Sequence, residues 1–220
     1  MKKNIIFLAP PAAGKGTQAS LLEDKYNFIH ISTGDLLRDE VKSGSELGNK
    51  IRKMQTEGIL VTDSIVTPLL EKKLIECKNK GGFILDGYPR NIEQVKLLEE
   101  ILNKLDMKID YVINLDIDYE TAMKRACGRL GCPKCGRIYN TYFDELKPKV
   151  DNLCDFCNIE LSHRGDDNEK SFKTRFNTFI ENTKPLIDYY KEKNMLYNVD
   201  SSLKKELVHK QIISVLNEKG

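Results

Sequence analysis

Ile5-Ile6-Phe7-Leu8-Ala9-Pro10-Pro11-Ala12-Ala13-Gly14-Lys15-Gly16-Thr17 runs from an apolar stretch of strand length, through a loop marked by proline and glycine, into a helical segment. Strand, loop and helix in that order match a phosphate-binding loop, written here A-x-x-x-x-G-K-G-T where the consensus is G-x-x-x-x-G-K-[ST]. The chemistry needs backbone N–H groups lining a concave loop at a helix N-terminus, where the dipole also favours anions. Pro10 and Pro11 have no N–H, so the donors run through Ala12, Ala13, Gly14, Lys15, Gly16 and Thr17. Lys15 is placed to set its ammonium against the β- and γ-phosphates of a nucleotide. Without that chemistry the same residues are a plain strand–turn–helix corner.

Outward from this corner, apolar runs of strand length alternate with longer segments of helical period, the pattern of a parallel α/β sheet flanked by helices. Strands are predicted at Ile5–Ala9, Phe28–Ile31, Phe83–Asp86, Tyr111–Asp116 and Met195–Val199. Helices are predicted at Lys15–Lys25, Leu36–Val41, Leu47–Glu57, Ser64–Asn79, Ile92–Leu102, Tyr119–Arg129, Asn168–Lys191 and Lys204–Asn217. Gly58 reads as closing one helix and Thr62-Asp63 as opening the next. The strand Phe83-Ile84-Leu85-Asp86 ends in a carboxylate, and ligands of parallel sheets sit beyond the carboxyl ends of the strands. In enzymes with such a loop that aspartate lies near Mg²⁺ and its waters; an aspartate before glycine is also a common turn former.

The 220 residues, 40% apolar and 31% charged, suffice for one core with small appended modules. The balance of 35 basic against 33 acidic side chains leaves +2, too little to attract nucleic acid or an anionic membrane through bulk charge. The apolar run Ile5–Ala9 stops at two prolines, short of the roughly 7–15 residues of a secretory core, and no stretch approaches the ~20 apolar residues of a membrane span. A cytoplasmic protein with reduced thiols is therefore expected, and a monomer, since no long apolar stripe argues for assembly. Of the 35 basic residues, 27 are Lys and eight are Arg. A chain that defaults to Lys for solvation places Arg where a rigid planar fork is needed.

Residues 130–163 break the strand–helix rhythm and hold four of the six cysteines. Cys132-x-x-Cys135 and Cys154-x-x-Cys157 are separated by 18 residues, within the zinc-ribbon spacing. Two such knuckles can aim four thiolates at one tetrahedral Zn²⁺, with zinc favoured over iron, and four sulfurs leave no open position, so the ion is structural. Two disulfides fit poorly with a cytoplasmic chain. Cys77 and Cys127 fall in helical segments as core thiols, and His163 is a spare candidate beside a complete quartet.

Several separated motifs resemble the adenylate kinase (nucleoside monophosphate kinase) family: Ala12-Ala13-Gly14-Lys15-Gly16-Thr17-Gln18, Ile31-Ser32-Thr33-Gly34-Asp35-Leu36-Leu37-Arg38, Asp86-Gly87-Tyr88-Pro89-Arg90, and Arg164-Gly165-Asp166-Asp167-Asn168-Glu169 followed by Arg175. The resemblance runs from the first strand to the last helix. It implies a P-loop three-layer α/β core with a five-stranded parallel sheet over residues 1–31, 62–129 and 164–220. A small helical AMP-binding flap would span 32–61 and a zinc-ribbon-like lid 130–163. The implied reaction is reversible Mg²⁺-dependent phosphoryl transfer, ATP + AMP = 2 ADP, serving adenine nucleotide homeostasis.

Carried over residue by residue, the catalytic cations are Lys15, Arg90, Arg125, Arg129, Arg164 and Arg175. The ATP site is Ala12 to Thr17, Arg129, Ile138, Tyr139 and the carbonyl near Leu203. The AMP site is Thr33, Arg38, Ile59, Leu60, Val61, Gly87, Tyr88, Pro89, Arg90, Gln94, Arg164 and Arg175, with the Gln94 amide reading adenine. Six of the eight arginines fall on such positions, as expected for a reaction that needs two polyanions held in line. Arg125 and Arg129, four apart in a predicted helix, should share one face. Asp166 and Asp167 read as charges at a helix start, with a hinge role implied: pairing with arginines as the lid closes.

Three positions depart from the family pattern. Ala9 and Ala12 stand where glycine is usual, and Ser201 takes a glycine-like position near the adenine edge, which weakens the assignment at Leu203. A positive φ at Ala12 would cost roughly 1–2 kcal/mol. Relatives with other nucleotide choices compete for the donor base, whereas Thr33 and Gln94 favour AMP as acceptor. A nucleic-acid-binding zinc ribbon would need a basic stripe, but this module carries Asp144, Glu145, Asp151, Asp155 and Glu160 among its lysines.

Overall fold

Alternation within the strands decides the layers. In the first strand, β1 (Ile5–Leu8), all four residues are buried: Ile6 and Leu8 enter one apolar cluster, Ile5 and Phe7 another on the opposite face. A strand covered on both sides belongs at the centre of a parallel sheet. The structure, a computed structural model, describes residues 3–56, 61–78 and 81–217. After β1 come α1 (Lys15–Tyr26), β2 (Ile29–Ser32), α2 (Thr33–Lys42), α3 (Glu46–Thr56), α4 (Asp63–Cys77), β3 (Phe83–Asp86), α5 (Ile92–Lys104) and β4 (Tyr111–Asp116). Then follow α6 (Tyr119–Cys127), β5 (Arg129–Gly131), β6 (Ile138–Asn140), α7 (Glu169–Thr178), α8 (Pro185–Glu192), β7 (Leu196–Asp200) and α9 (Lys205–Asn217).

Five strands form one sheet in the order β2-β3-β1-β4-β7, every neighbouring pair parallel. The chain leaves β1 toward the β2 edge, returns through β3 and then crosses to β4. The strand order reverses at β1, and a crevice opens beyond the carboxyl ends there. Helices α2, α3, α4, α5 and α8 cover the Ile6 face with Leu37, Ile51, Leu70, Leu98 and Leu186. Helices α1, α6, α7 and α9 cover the Ile5 face with Leu22, Ala122, Phe172 and Ile212. Each fully buried Leu, Ile or Phe contributes about 1.5–3 kcal/mol, so both layers are pinned where the alternation predicts. The expected three-layer α/β fold with a five-stranded parallel sheet is the fold observed.

Several boundaries differ from expectation. Helix α2 starts at Thr33 and not at Leu36, because the Ser32 hydroxyl caps it, accepting from the Asp35 N–H at 3.2 Å. The Thr62 side chain makes no such cap bond before α4; its hydroxyl lies 3.0 Å from Ser64 Oγ. Helix α6 stops at Cys127 because the chain turns at Gly128, where a Cβ would lie 2.5 Å from Asn140 Oδ1 and 2.4 Å from Tyr142 Cδ2. Arg129 therefore sits on β5, paired antiparallel with β6, and does not share a helix face with Arg125. The stretch expected as one helix over Asn168–Lys191 is α7, a π turn at Phe179–Thr183, and α8. Its N-cap is Asn168, whose side chain accepts from the Ser171 N–H at 2.9 Å, so Asp166 and Asp167 do not cap it. The helix end expected at Gly58, and the AMP-site positions Ile59 and Leu60, lie outside the described residues. Among the described residues no helix is long and apolar enough to cross a membrane.

Candidate active site

The turn after β1 is built by two residues with positive φ, Ala12 at 61° and Gly14 at 93°. Ala9 is not among the positive-φ residues, so glycine is not required there. Gly14 is the N-cap of α1 but offers no side-chain cap, and the first turn of α1 carries no acid. The N–H groups and positive dipole end of that helix are thus free for an anion. Lys15 folds back over the loop, donating from Nζ to the carbonyls of Ala9 at 3.2 Å and Pro10 at 3.3 Å. Burial pulls its pKa below the ordinary lysine value, and the nearby Asp86 carboxylate opposes that shift.

Across the crevice β3 delivers Asp86. Its Oδ2 lies 3.4 Å from Nε2 of His30 on the adjacent strand β2. Burial disfavours charge on both partners, yet their hydrogen bond and mutual attraction hold the Asp86 carboxyl below its ordinary pKa and the His30 imidazole above. At Gly87, with φ 85°, a Cβ would stand 2.7 Å from Thr33 Oγ1. Only glycine lets Thr33 donate to the Gly87 carbonyl at 3.0 Å. Arg90 donates from Nε to the same carbonyl at 2.8 Å. The Gln94 amide is oriented from both ends: Oε1 accepts from the Arg90 N–H at 2.7 Å, and Nε2 donates to Asp63 Oδ1 at 2.6 Å. One N–H and one lone pair of that amide remain for a base edge.

The remaining arginines close the site from the other side. Arg125, on α6, donates to three successive carbonyls, Ser201 at 2.6 Å, Ser202 at 3.1 Å and Leu203 at 3.3 Å. Arg129 forks onto the buried Asp167 carboxylate at 2.8 and 2.5 Å, and Arg175 pairs with Asp166 at 2.6 Å. Arg38 pairs with Asp35 at 2.5 Å. These side chains, with Lys15, Arg90 and Arg164, line one cleft of about 2100 Å³ beyond the sheet's carboxyl edge. The same cleft is lined by Ala12, Ala13, Gly14, Gly16, Thr17, Thr33, Val61, Gly87, Tyr88, Pro89, Gln94, Ile138, Tyr139 and Leu203. Every expected nucleotide residue among the described ones therefore meets in a single cavity, larger than the roughly 300–1,000 Å³ of a one-ligand pocket. Sequence reasoning missed the supports: His30 under Asp86, whose neighbours in the sheet are a matter of register, and Asp63, which read only as a helix opener.

The module bordering the cleft brings its four cysteines together. All four Sγ atoms of Cys132, Cys135, Cys154 and Cys157 lie within 4.8 Å of one another. Both knuckles fold alike. Gly136 N–H donates to the Cys132 carbonyl and Asn158 N–H to that of Cys154, each at 2.9 Å, and Gly136 (φ 69°) and Asn158 (φ 49°) both take the left-handed turn. A tetrahedral ion with metal–sulfur bonds of ~2.3 Å needs sulfur–sulfur edges near 3.8 Å, and Cys135 and Cys154 stand 3.7 Å apart. The quartet can hold a metal ion. His163 is exposed and outside the group. Tyr139 sinks its ring into the module's small core, with its hydroxyl 3.5 Å from Cys154 Sγ, while Ile138 beside it is exposed.

Comparison with known proteins gives a consistent answer. A family model described as adenylate kinase matches residues 7–195. The chain is 43% identical to an adenylate kinase of Archaeoglobus fulgidus over 215 residues, 98% of each chain. It is 42% identical to one of Thermosipho africanus over 213 residues, 97% of this chain and 99% of that one. It is also 42% identical to one of Methanothrix thermoacetophila over 215 residues, 98% and 99% of the two. With most of its length matched by the family model and nearly all of it by these relatives, the chain belongs to the adenylate kinase family.

Proposed function

We propose that this cleft transfers the γ-phosphoryl group of ATP to AMP, and runs in reverse from two ADP. One observation carries the reading: Lys15 and all eight arginines, from chain segments as distant as residues 15 and 175, line a single cavity in a protein whose net charge is only +2. Two polyanionic phosphate tails justify that concentration of cations. ATP would lie on Ala12 to Thr17, with its base toward Leu203 and the lid strand at Ile138 and Tyr139. AMP would lie on Thr33, Arg38, Val61 and Gly87 to Arg90, its base edge read by the free half of the Gln94 amide. Ile59 and Leu60, outside the described residues, are further AMP-site positions in this assignment.

The residues' own chemistry gives the sequence of events. Lys15 exchanges two carbonyl partners for phosphate oxygens, a neutral-to-anionic exchange that strengthens its bonds. Arg129 and Arg175 arrive already oriented by Asp167 and Asp166, and Arg90 by Gly87 and Gln94, so little rotamer freedom is lost when phosphate binds. Asp86, kept ionised, would stand beside Mg²⁺, which supplies charge neutralisation across the phosphates when bound. No covalent enzyme intermediate is needed. The division into a core (1–31, 62–129, 164–220), a flap (32–61) and a lid (130–163) fits a cleft that closes over both ligands and excludes water, with the lid hairpin beginning at Arg129. The lid's metal is Zn²⁺ in this reading, because an all-sulfur tetrahedral site with no open position suits a structural zinc.

The test is ADP formation from ATP and AMP with Mg²⁺, run against a panel of other donors and acceptors. Lys15→Met should lose about 10²-fold or more in kcat while keeping its far-ultraviolet circular dichroism. Near-parent turnover in that variant would falsify the site, and a preference for another acceptor would remove AMP from it.

A further inference from the structure

Between α7 and α8 the helix changes register. The Lys184 N–H donates to the Phe179 carbonyl at 2.8 Å, a bond across five residues and not four. The cause is written one residue on: Pro185 has no N–H and opens α8, so the α-ladder cannot continue through it. The Asn182 side-chain amide donates to the Thr178 carbonyl at 3.1 Å and supplies a partner where the register slips. One extra residue in a turn rotates everything downstream by roughly 100°. The rotation has a visible product. Thr183, the last residue of the π turn, is buried, and its hydroxyl donates at 3.0 Å to the carbonyl of Arg90, 93 residues away in sequence.

Arg90 is thereby held at both ends of its backbone. Its N–H is taken by Gln94 Oε1 and its carbonyl by Thr183 Oγ1, while its own Nε grips the Gly87 carbonyl. The same helical pass carries Arg175 in α7, eight residues before Thr183 and also lining the cleft. Two guanidiniums facing one cavity repel, so an Arg90 left free would shift away from its neighbour. We infer that Thr183 is a positioning residue for phosphoryl transfer: the π turn delivers its hydroxyl to Arg90 and fixes the spacing between the Arg90 and Arg175 guanidiniums. This rests on the reading that Arg90 contacts a phosphate.

The experiment uses the full chain with ATP and AMP varied separately. Thr183→Val is close to isosteric and removes only the donor; it should lower kcat by about five- to tenfold, the scale of one hydrogen bond and the misplacement that follows. The KM for ATP should stay within about twofold, and Thr183→Ser, which restores the hydroxyl, should recover kcat to within about twofold of the parent. Thr183→Ala repeats the comparison if valine does not pack. A Thr183→Val protein that melts earlier but turns over at the parent rate overturns the inference, as does a kcat loss that serine does not rescue. Arg90→Lys separates the two levels. If it keeps parent kcat, the phosphate role of Arg90 falls and this inference with it; if it collapses while Thr183→Val is unaffected, only the positioning role falls.

Discussion

Ala12 is a residue held against its own preference. At φ 61° its Cβ crowds the following carbonyl, a cost of roughly 1–2 kcal/mol that glycine escapes. Glycine gives back part of the gain through a freer unfolded chain, about 0.5–1 kcal/mol. Ala12→Gly should therefore stabilise the protein by roughly 0.5–1 kcal/mol, which for a chain of this size raises Tm by about 1–4 °C. A thermal melt checks it, and an unchanged or lower Tm would mean that contacts of the Ala12 methyl outweigh its strain. The same loop shows what sequence can and cannot carry at this scale. The pattern identified Ala12 and Ala9 alike as occupying glycine positions, yet only Ala12 takes the left-handed conformation. Tyr139 is a similar case: the motif places it at the nucleotide, but its ring faces the core of the cysteine module, so the strand carries what it offers the cleft.

At the scale of elements, the four-cysteine module over residues 130–163 is the unit with the least core of its own. Its buried cluster consists of Leu130, Cys132, Tyr139, Cys154 and Leu161, so two of its five members are metal-ligand candidates. Such a module cannot hold itself by apolar burial, and a structural zinc site contributes on the order of 10–16 kcal/mol in comparable peptides. Elemental analysis should find one zinc per chain. Chelation should lower Tm by roughly 5 °C or more and speed hydrogen exchange in β5 and β6, while β1, β3 and β4 keep their protection. A metal-free protein of equal Tm would remove the structural role. The cysteine knuckles were legible because ligand spacing is a property of the chain itself, as were the five strands, whose short apolar runs are local. The break between α7 and α8 is also written in the sequence, as Pro185, but apolar period runs across it and conceals it. The end of α6 was hidden differently: Gly128 is needed there because Asn140 and Tyr142 pack against it, a contact between elements that no local pattern announces.

Across the whole molecule, charge is nearly balanced and yet sorted. The cations that matter face one cleft, and carboxylates such as Asp86, Asp166 and Asp167 stand among them as internal counter-ions. On the Ile5 face of the sheet, where α9 packs against α1, one titratable group has no such provision. His209 is buried, and neither ring nitrogen has a hydrogen-bond partner among the described residues. Its ring lies 6.2 Å from that of Tyr26, and burial, followed by the Lys25 charge, holds its pKa below the ordinary imidazole value. The folded state thus resists a proton that the unfolded chain accepts. Above the ordinary value of ~6.5 both states are neutral and nothing is lost; as pH falls below it, the unfolded state gains protonation energy and stability declines until the folded pKa is passed. His209→Phe keeps a flat ring against Tyr26 and cannot titrate. Its Tm relative to the parent should therefore stay level from about pH 8 to about 7 and rise as pH is lowered further to about 5, whatever its offset at the alkaline end. A constant offset across that range would show that His209 takes up its proton in the folded state at no cost.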